Sequence, residues 1–493
     1  MLLKDIIAAL PGDIVLSGDA EREILGIAYD SRQVKEGYLF VAIPGLQVDG
    51  HDFIPQAVAN GACAVIAERR LPLPVPLIVT PDSRRALAFA AAAWYGYPDR
   101  QLRLIGVTGT NGKTTTTHLI KFLLEKAGRK SGVLGTVGAM AGDKMLPEQI
   151  SAGTTPESLE LFGLLSQMVE ASCGYAVIEA SSQALAMQRV SACNFAAGVF
   201  TNLTQDHLDY HGDMVSYCQS KETLFRMLAP ERDNRYGVIN LDDAYAERFC
   251  QACRARQWSY GMREGADLQL LHLNATISGM RFSFKFQDKV YTAQIPLIGK
   301  FNVYNALAAI CVALAEGLEI SDILSWLPQA PQVAGRFELV DEGQDFAVVV
   351  DYAHTPDGLE NVLHAARALK PRRVICVFGC GGDRDSRKRP LMGRIAGQYA
   401  DVAVLTSDNP RNEDPQTILE MVEEGIRSVG NNYLVEIDRE KAIRLAIGMA
   451  SSGDIVLLAG KGHEDYQIIR GVKHHFDDRE IARNILRARL GKE

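Results

Sequence analysis

The stretch Gly106-Val-Thr-Gly-Thr-Asn-Gly-Lys-Thr114 joins a mostly apolar run, residues 102–107, to the start of a Thr-rich helical pattern. Gly109 and Gly112 allow backbone N–H groups to turn inward around phosphate oxygens, where a Cβ would obstruct them. Lys113 adds a point charge at the N-terminus of the helix, and Thr114 offers a hydroxyl to a phosphate-bound magnesium ion. The stretch therefore predicts a strand, a phosphate-binding loop and a helix that together bind a nucleoside triphosphate.

The match to the common phosphate-loop pattern is shorter than usual. The pattern G-x-x-x-x-G-K-[ST] requires glycine at position 107, where this chain has Val107. The remaining variant, Gly109-x-x-Gly112-Lys113-Thr114, also occurs in ordinary glycine turns. The apolar run before it and the helical pattern after it favour phosphate binding.

Size and charge are typical of a large soluble enzyme. The 493 residues predict about three domains, and 52 basic against 60 acidic residues give a net charge of −8. Without a long basic run, this balance argues against nucleic acid or an anionic membrane as the main partner. The N-terminus lacks the features of a secretory signal, and no run approaches the roughly 18 apolar residues of a membrane span. Nine scattered cysteines favour reduced thiols, and we expect a cytoplasmic protein without membrane insertion.

Three regions with different patterns predict the domain organisation, with boundaries at residues 1–97, 98–332 and 333–493. The first region contains short β-like runs and ends in an alanine-rich helix from 83 to 94, followed by a predicted linker from 96 to 100. In the other two regions, apolar strands alternate with helical patterns. Strands are predicted at 102–107, 132–137, 175–180, 196–201, 236–240, 347–350, 374–378, 402–405 and 455–459. This alternation predicts an α/β fold with mainly parallel sheets covered by helices.

In the third region, polar or glycine-rich segments follow four predicted strands, at 351–354, 379–384, 407–411 and 460–464. Ligands of open α/β sheets collect where the strands end, so these segments predict a binding edge. Four ordinary turns are the alternative.

Three features of the second region suit a nucleotide site. Glu179 ends an apolar strand, a position that suits a carboxylate for magnesium, although a structural ion pair is the alternative. The segment 201–211 contains two histidines and two aspartates, which suggests a charged wall, although a histidine such as His207 is an unusual magnesium ligand. Lys221 lies on a predicted helix and, taken alone, is expected at the surface.

Seven motifs in a fixed order resemble those of the Mur ligases. They are Gly109-Thr-Asn-Gly-Lys-Thr, Glu179-Ala-Ser-Ser, Asn202-Leu-Thr-Gln-Asp-His-Leu-Asp-Tyr-His-Gly, Lys221-Glu, Gly299-Lys-Phe-Asn-Val-Tyr-Asn-Ala, Gly335-Arg-Phe-Glu and Asp351-Tyr-Ala-His-Thr-Pro. Mur ligases are ATP-dependent amide-bond ligases that build the peptidoglycan stem peptide. The resemblance implies a central P-loop domain, an N-terminal domain for the uridine nucleotide and a C-terminal Rossmann-like domain. It also implies the branch of the family that extends UDP-N-acetylmuramoyl-L-alanyl-D-glutamate through an acyl phosphate.

The resemblance implies roles for the residues of the ATP site. Lys113 would hold the phosphates, with Thr114 and Glu179 on one Mg²⁺ and His207 on a second. Lys221 would be carbamylated, which replaces a repelling ammonium with an anionic oxygen ligand. The implied ATP-binding residues are Gly109, Thr110, Asn111, Gly112, Lys113, Thr114, Thr115, Asn302, Asn305, Arg336 and Asp351.

The resemblance also assigns the substrate contacts. The implied residues for the UDP-dipeptide are Tyr29, Ser31, Leu46, Gln47, Val48, Thr154, Thr155, Ser181, Met187 and Arg189, although Met187 stands where related enzymes often have a polar residue. The segment Asp408-Asn409-Pro410-Arg411 resembles the signature of ligases that add meso-diaminopimelate, with Arg384, Gly460 and Glu464 completing the pocket. A guanidinium at Arg411 can bind the distal carboxylate of this amino acid bidentately, and lysine lacks that group.

Other functions stay open at this point. A lysine-adding ligase of the same branch and a folylpolyglutamate-synthetase-like ligase share the motifs. A P-loop ATPase that acts as a switch belongs to a different class. For the amide ligase we expect a monomer.

Overall fold

The structure is a computed structural model that describes residues 1–45, 48–147, 154–228, 234–276, 279–430 and 432–492. In these ranges the strands form a five-stranded, an eleven-stranded and a six-stranded sheet and a separate hairpin. Each of the three large sheets is mainly parallel and is covered by helices, as the sequence predicts for the second and third regions.

The first sheet is built from strands that connect through short turns and helices. Its strands are β1 (Val15–Ser17), β2 (Gly26–Ala28), β3 (Tyr38–Val41), β4 (Ala62–Ala67) and β5 (Leu77–Val79), and its helices are α1 (Leu3–Ala9), α2 (Ile54–Ala59), α3 (Ser83–Trp94) and α4 (Pro98–Gln101). The order is β1-β5-β4-β3-β2, with β1 antiparallel to β5. Helix α3 begins where the Asp82 side chain accepts a hydrogen bond from the N–H of Arg85.

The central sheet carries the phosphate loop. Its strands are β6 (Arg103–Thr108), β7 (Ser131–Gly135), β8 (Gly138–Ala141), β9 (Lys144–Met145), β10 (Tyr175–Glu179), β11 (Phe195–Phe200), β12 (Tyr236–Asn240), β13 (Arg256–Gly261), β14 (Leu268–Thr276), β15 (Gly279–Phe286) and β16 (Lys289–Ile295). Its helices are α5 (Lys113–Lys126), α6 (Ser158–Glu170), α7 (Ser182–Ala186), α8 (Leu208–His211), α9 (Met214–Arg226), α10 (Ala246–Ala252), α11 (Lys300–Ala315) and α12 (Ile320–Trp326). In the order β16-β15-β14-β13-β12-β11-β6-β10-β7-β8-β9, strand β6 lies between β11 and β10. The chain returns from β6 through α5 to β7, beyond β10, so the phosphate loop stands at a point where the connections diverge.

The third sheet repeats this arrangement on a smaller scale. Its strands are β17 (Glu338–Val340), β18 (Ala347–Asp351), β19 (Val374–Phe378), β20 (Val402–Leu405), β21 (Tyr433–Val435) and β22 (Ile455–Ala459), in the order β17-β18-β22-β19-β20-β21. The hairpin consists of β23 (Tyr466–Ile469) and β24 (Val472–His475), and the helices are α13 (Pro356–Ala368), α14 (Lys388–Tyr399), α15 (Pro415–Arg427), α16 (Arg439–Met449) and α17 (Asp478–Arg489). Because β18, β19, β20 and β22 are parallel, their carboxyl ends meet at one edge.

The predicted linker from 96 to 100 is partly wrong. Residues Pro98–Gln101 form the short helix α4, because Pro98 occupies its first position, where the fixed φ of proline is favourable. The antiparallel strands β14 to β16 and the hairpin of β23 and β24 are additions that the sequence did not predict. No helix in the described part of the chain is long and apolar enough to cross a membrane.

Candidate active site

The phosphate loop has the backbone that its glycines predict. Gly109 and Gly112 have φ of +151° and +85°. A Cβ on Gly109 would lie 1.9 Å from Thr201 Oγ1, and one on Gly112 would lie 2.4 Å from Asn305 Oδ1, so neither position has room for a side chain. Lys113 Nζ donates to the carbonyl oxygens of Gly109 and Thr110 at 3.0 and 2.7 Å. The ammonium thus lies over the loop in which a phosphate would bind.

Glu179 lies at the end of β10, next to the phosphate loop, and is 1% exposed. Its Oε1 accepts a hydrogen bond from the N–H of Thr136 at 2.9 Å, and its Oε2 accepts one from the Thr136 hydroxyl at 3.0 Å. Gly135 makes this approach possible, because a Cβ there would lie 2.1 Å from Glu179 Oε1. These bonds orient the carboxylate, and no ion pair to it occurs among the residues that the structure describes, so its charge is available to a cation.

Lys221 is 1% exposed, which contradicts the surface position expected for this lysine alone. Its Nζ donates to the carbonyl oxygen of Gly109 at 2.7 Å and lies 4.6 Å from the centre of the Tyr217 ring. Burial, and next the charge of Lys113, lower the pKa of Lys221 well below its ordinary value. The fold therefore places a readily deprotonated amine under the phosphate loop. His207 stands near it in a left-handed conformation with φ of +54°, its side chain 44% exposed.

Of the four predicted magnesium ligands, Thr114 and Glu179 suit that ion in type, whereas the imidazole of His207 is an unusual ligand for it and the ammonium of Lys221 repels it unless it is carbamylated. Thr114 and Glu179 supply a hydroxyl and a carboxylate, and Mg²⁺ is usually bound by one or two such groups together with phosphate oxygens and water. No cluster of three or more His, Cys, Asp or Glu side chains that could hold a metal occurs within the described ranges. A metal at this position would thus depend on the nucleotide for several of its ligands.

A cavity of about 290 Å³ opens between the phosphate loop and the C-terminal sheet. Its lining includes Asn111, Gly112, Thr115, Asn305, Arg336 and Asp351 from the predicted ATP-binding set. Asn302 lies behind this wall, where its Oδ1 accepts a hydrogen bond from Asn305 Nδ2 at 3.1 Å. The cavity is next to the loop that would hold phosphates, as a nucleotide site requires.

Two residues of the C-terminal unit reach the phosphate loop. Arg336 Nη2 donates to Thr114 Oγ1 at 3.0 Å, and its guanidinium lies 4.7 Å from the centre of the Tyr352 ring. Asp357 Oδ2 accepts a hydrogen bond from Asn111 Nδ2 at 2.6 Å. Asp351 accepts backbone hydrogen bonds at both oxygens, and burial raises its pKa to about 6 despite the charge of Arg336. The nucleotide cavity is therefore completed by both units.

The residues predicted for the diphosphate, sugar and peptide of the UDP-dipeptide converge beside Glu179. Thr155 is fully buried, donates to the Glu179 carbonyl oxygen at 2.6 Å and lies 3.1 Å from Ser181 Oγ. Arg189 Nη1 donates to the Thr155 carbonyl oxygen at 2.9 Å. The side chain of Met187 is buried, and its Sδ accepts a hydrogen bond from Arg189 Nη2 at 3.3 Å. Thr154 adjoins this group, since its Oγ1 lies 3.3 Å from the Thr136 hydroxyl oxygen.

The residues predicted for the uridine end lie in the N-terminal unit. Tyr29 donates its hydroxyl to Glu160 at 2.7 Å and so connects this unit to α6. Ser31 is buried and donates to Gln56 Oε1 at 3.2 Å, whereas Val48 is 60% exposed. Leu46 and Gln47, also predicted for this end, lie outside the described residues.

Three of the four polar strand exits of the C-terminal sheet meet at one pocket, whereas the fourth, residues 351–354, lines the nucleotide cavity. Asp408 and Asn409 are buried after β20, and Asn409 Nδ2 donates to Glu464 Oε2 at 2.9 Å. Gly460 has φ of +116°, and a Cβ there would lie 2.6 Å from Asp408 Oδ2. Arg411 Nη1 donates to the Gly382 carbonyl oxygen at 2.8 Å. The arrangement presents guanidinium and carboxylate groups of opposite charge in one place.

Two predicted pocket residues differ from this close packing. Arg384 is exposed and donates to the Asp383 carbonyl oxygen at 3.2 Å, so it lies at the rim. Pro410 is buried, and its carbonyl oxygen would lie 2.0 Å from a Cβ on Gly382, so its contribution to the pocket is through the backbone.

Several residues of the site were missed by sequence reasoning. Thr136, which orients Glu179, follows a strand without a recognised motif. Lys461 lies inside the predicted segment 460–464, and its position between pocket residues was a signal that could have identified it. The hairpin supports the pocket, since Gln467 Nε2 donates to the Asp408 carbonyl oxygen at 2.6 Å and the N–H of Ile468 donates to Asn409 Oδ1 at 2.9 Å. These partners are distant in sequence, so spacing alone could not reveal them.

Comparison with known proteins gives three family matches along the chain. They are the Mur ligase family, catalytic domain, at residues 23–100, the Mur ligase middle domain at 107–313, and the Mur ligase, glutamate ligase domain, at 335–462. The UDP-N-acetylmuramoyl-L-alanyl-D-glutamate--2,6-diaminopimelate ligase of Syntrophomonas wolfei is 50% identical over 476 residues, which are 96% of each chain. The protein of the same name from Geobacillus thermodenitrificans is 48% identical over 492 residues, 99% of this chain and 100% of the relative.

Solved structures agree with these matches. A structure of a UDP-N-acetylmuramoyl-L-alanyl-D-glutamate--2,6-diaminopimelate ligase superposes with a TM-score of 0.70 and 34% identity, covering 99% of both chains. The MurF ligase of Thermotoga maritima in complex with ADP has a TM-score of 0.63 at 20% identity, covering 95% of this chain and 98% of that one. Folylpolyglutamate synthase of Mycobacterium tuberculosis has a TM-score of 0.64 at 17% identity, covering 83% and 96%. The last two similarities concern the fold alone.

Proposed function

The chain belongs to the Mur ligase family, and we propose that it joins meso-2,6-diaminopimelate to UDP-N-acetylmuramoyl-L-alanyl-D-glutamate with hydrolysis of ATP to ADP and phosphate. The observation that carries this function is the full-length identity of 50% to a ligase of that name. The pocket around Arg411 and Glu464 supports the same amino acid, because it offers one cationic and one anionic group to a zwitterionic end.

The first step that we infer is phosphorylation of the free D-glutamyl carboxylate by ATP. Lys113 neutralises phosphate charge, and Thr155 and Arg189 position the dipeptide beside Glu179. Thr114 and Glu179 would hold a Mg²⁺ ion, which would supply further neutralisation of the charge on the phosphoryl group. The product of this step is an acyl phosphate.

The second step is attack of the neutral diaminopimelate amine on the acyl carbon. The bond from that carbon to the phosphate oxygen then breaks, phosphate leaves, and the new amide nitrogen releases a proton to solvent. Arg411 and Glu464 bind the distal end of the amino acid, so the other amine is oriented toward the central unit. Since the two reacting groups are held by different units, Arg336 and Asp357 contribute by keeping the units together. Such positioning converts a bimolecular encounter into a reaction within one complex.

Further parts of the proposal rest on the resemblance and on the geometry. Residues 1–97 bind the uridine nucleotide, residues 98–332 bind ATP, and residues 333–493 bind the amino acid. The buried, weakly basic amine of Lys221 supports carbamylation, because the neutral amine is the form that reacts with carbon dioxide. We propose that the protein acts as a monomer in the cytoplasm, where its nucleotide substrates are made.

The function is tested by measuring ADP release with the UDP-dipeptide and each of three amines, meso-diaminopimelate, L-lysine and L-glutamate. We expect turnover with diaminopimelate and less than about 1% of that rate with lysine, since a site built for a charged group rejects a ligand without it. Preference for lysine or glutamate would contradict the assignment. Full ATP hydrolysis without the UDP-dipeptide and amine would favour a P-loop switch.

A further inference from the structure

Lys461 is a lysine with no exposed side-chain surface, and it is enclosed by the amine-pocket residues Asp408, Asn409 and Glu464. Its Nζ lies 3.3 Å from Asn409 Oδ1, 3.5 Å from Glu464 Oε2 and 3.8 Å from Asp408 Oδ1. Because solvent does not reach this side chain, a ligand in the pocket does not contact it either. Lys461 therefore acts on a ligand only through the three groups that surround it and through its charge.

The charges of the pocket sum to zero when Lys461 is included. Burial, and next the charge of Asp408, raise the pKa of Glu464. When both carboxylates are ionised, Asp408 and Glu464 contribute two negative charges, and Lys461 and Arg411 contribute two positive charges. Without Lys461 the same pocket would carry one net negative charge. Burial alone would raise the pKa of Asp408, but the surrounding cations, with Lys461 foremost, hold it below its ordinary value.

Neighbouring charged groups leave this sum unchanged. Arg439 and Asp478 form a fully buried ion pair with Nη2 and Oδ2 at 2.6 Å, so they neutralise each other behind the pocket. Arg384 and Asp383 at the rim are exposed, and so is Lys473, whose Nζ lies 3.9 Å from the centre of the Tyr466 ring, so water screens all three. Arg389 is neutralised by Glu413 at 2.8 Å. The four groups inside the pocket thus set the charge that a buried ligand meets.

The two competing amino acids differ in this property. At neutral pH the distal end of meso-diaminopimelate carries an ammonium and a carboxylate and is neutral as a whole, whereas the distal end of lysine carries one positive charge. We propose that Lys461 is a specificity-determining residue, whose buried ammonium balances the pocket so that it accepts a zwitterionic end and disfavours a cationic one. This inference rests on the proposed function and adds to Arg411 a second source of selectivity that does not touch the substrate.

The experiment compares wild-type enzyme with Lys461→Met and Lys461→Arg. The readout is the ratio of kcat/KM for meso-diaminopimelate to kcat/KM for L-lysine, measured at pH 8.5 so that both carboxylates are ionised. Two unit charges about 8 Å apart at an effective dielectric constant of about 20 correspond to a change of about 30-fold in an equilibrium constant. We expect the ratio to fall by about 30-fold in Lys461→Met, mainly through the two KM values, and to stay within about threefold of wild type in Lys461→Arg.

A matched control removes a cation from the same unit away from the pocket. Arg373 pairs with buried Asp454 at 2.6 Å, near the starts of β19 and β22, the ends of those strands opposite the pocket. Arg373→Met is expected to lower the unfolding temperature and to leave the ratio unchanged. Lys461→Gln, which keeps a donor for Asn409 but has no charge, is expected to shift the ratio as Lys461→Met does.

The outcomes separate this inference from the proposed function. Wild-type enzyme that prefers lysine overturns the proposed function and the inference with it. Wild-type enzyme that prefers diaminopimelate, together with an unchanged ratio in folded Lys461→Met or Lys461→Gln, overturns the role of Lys461 alone. If neither neutral variant folds while Lys461→Arg does, the lysine is a structural element and the inference is wrong.

Discussion

Replacing Arg411 with alanine is expected to raise the KM for meso-diaminopimelate by about 100- to 1000-fold and to leave the KM for ATP within about threefold. The reason is local, because Arg411 belongs to the loop after β20 and the nucleotide cavity is lined by other residues. Its Nη1 is held by the Gly382 carbonyl oxygen at 2.8 Å, so a carboxylate is bound through the other N–H groups of the guanidinium.

The magnitude follows from the bonds that are lost. A hydrogen bond between charged groups contributes about 1.5–3 kcal/mol, so two bonds to one carboxylate contribute about 3–4 kcal/mol after partial replacement by water. Each 1.4 kcal/mol corresponds to about a tenfold change in binding. Arg411→Lys, which keeps the charge without the planar fork, is expected to have an intermediate KM.

The backbone at this position provides a control. Arg411 has φ of +51°, and two backbone hydrogen bonds hold its loop. The Arg411 N–H donates to the Ile468 carbonyl oxygen at 3.0 Å, and the Arg470 N–H donates to the Arg411 carbonyl oxygen at 2.7 Å. Glycine adopts this conformation without the cost of about 1 kcal/mol that other residues bear. Arg411→Gly should therefore be more stable than Arg411→Ala but equally deficient in diaminopimelate binding.

The assay is ADP release at varied concentrations of each substrate, with unfolding curves recorded for the same preparations. A similar rise in the KM for ATP and for diaminopimelate would refute the proposed contact. Recovery of diaminopimelate binding in Arg411→Gly would indicate that the loss in Arg411→Ala comes from the backbone.

Three further changes test the ATP site. Glu179→Gln keeps an acceptor for the Thr136 N–H but loses the charge. We therefore expect ADP release to fall by at least about 100-fold with little change in unfolding temperature. Retained activity would contradict a role of Glu179 in metal binding. Lys221→Ala should lose ADP release, and added short carboxylates should partly restore it. If neither the mass nor the activity of the wild-type enzyme depends on carbon dioxide, Lys221 is not carbamylated. Burial raises the pKa of Asp351 to about 6, so the folded protein binds more protons than the unfolded chain between about pH 4 and pH 6. The free energy of unfolding therefore falls by up to about 3 kcal/mol as the pH rises through that window. Denaturant titrations of Asp351→Asn should lack this component, and an identical pH profile in both proteins would refute it.

Local sequence patterns predicted most of the parallel strands. Segments such as Tyr236–Asn240, Val374–Phe378 and Ile455–Ala459 match the observed strands residue for residue, because buried parallel strands are continuous apolar runs bounded by turn residues. The antiparallel strands from 268 to 295 were missed, since their alternating polar and apolar residues give a weaker pattern. The short helix after Tyr97 was missed because four residues are too few for a periodic signal.

The sequence by itself determined the phosphate loop, since Gly109, Gly112 and Lys113 act through backbone conformation and charge within one short segment. It also indicated Arg411 by motif. Only the tertiary structure decided that Lys221 is buried under the loop and that Lys461 balances the charge of the amine pocket. The physical reason is that burial and charge balance depend on side chains that are distant along the chain, as Lys221 is from Gly109 and Lys461 from Asp408.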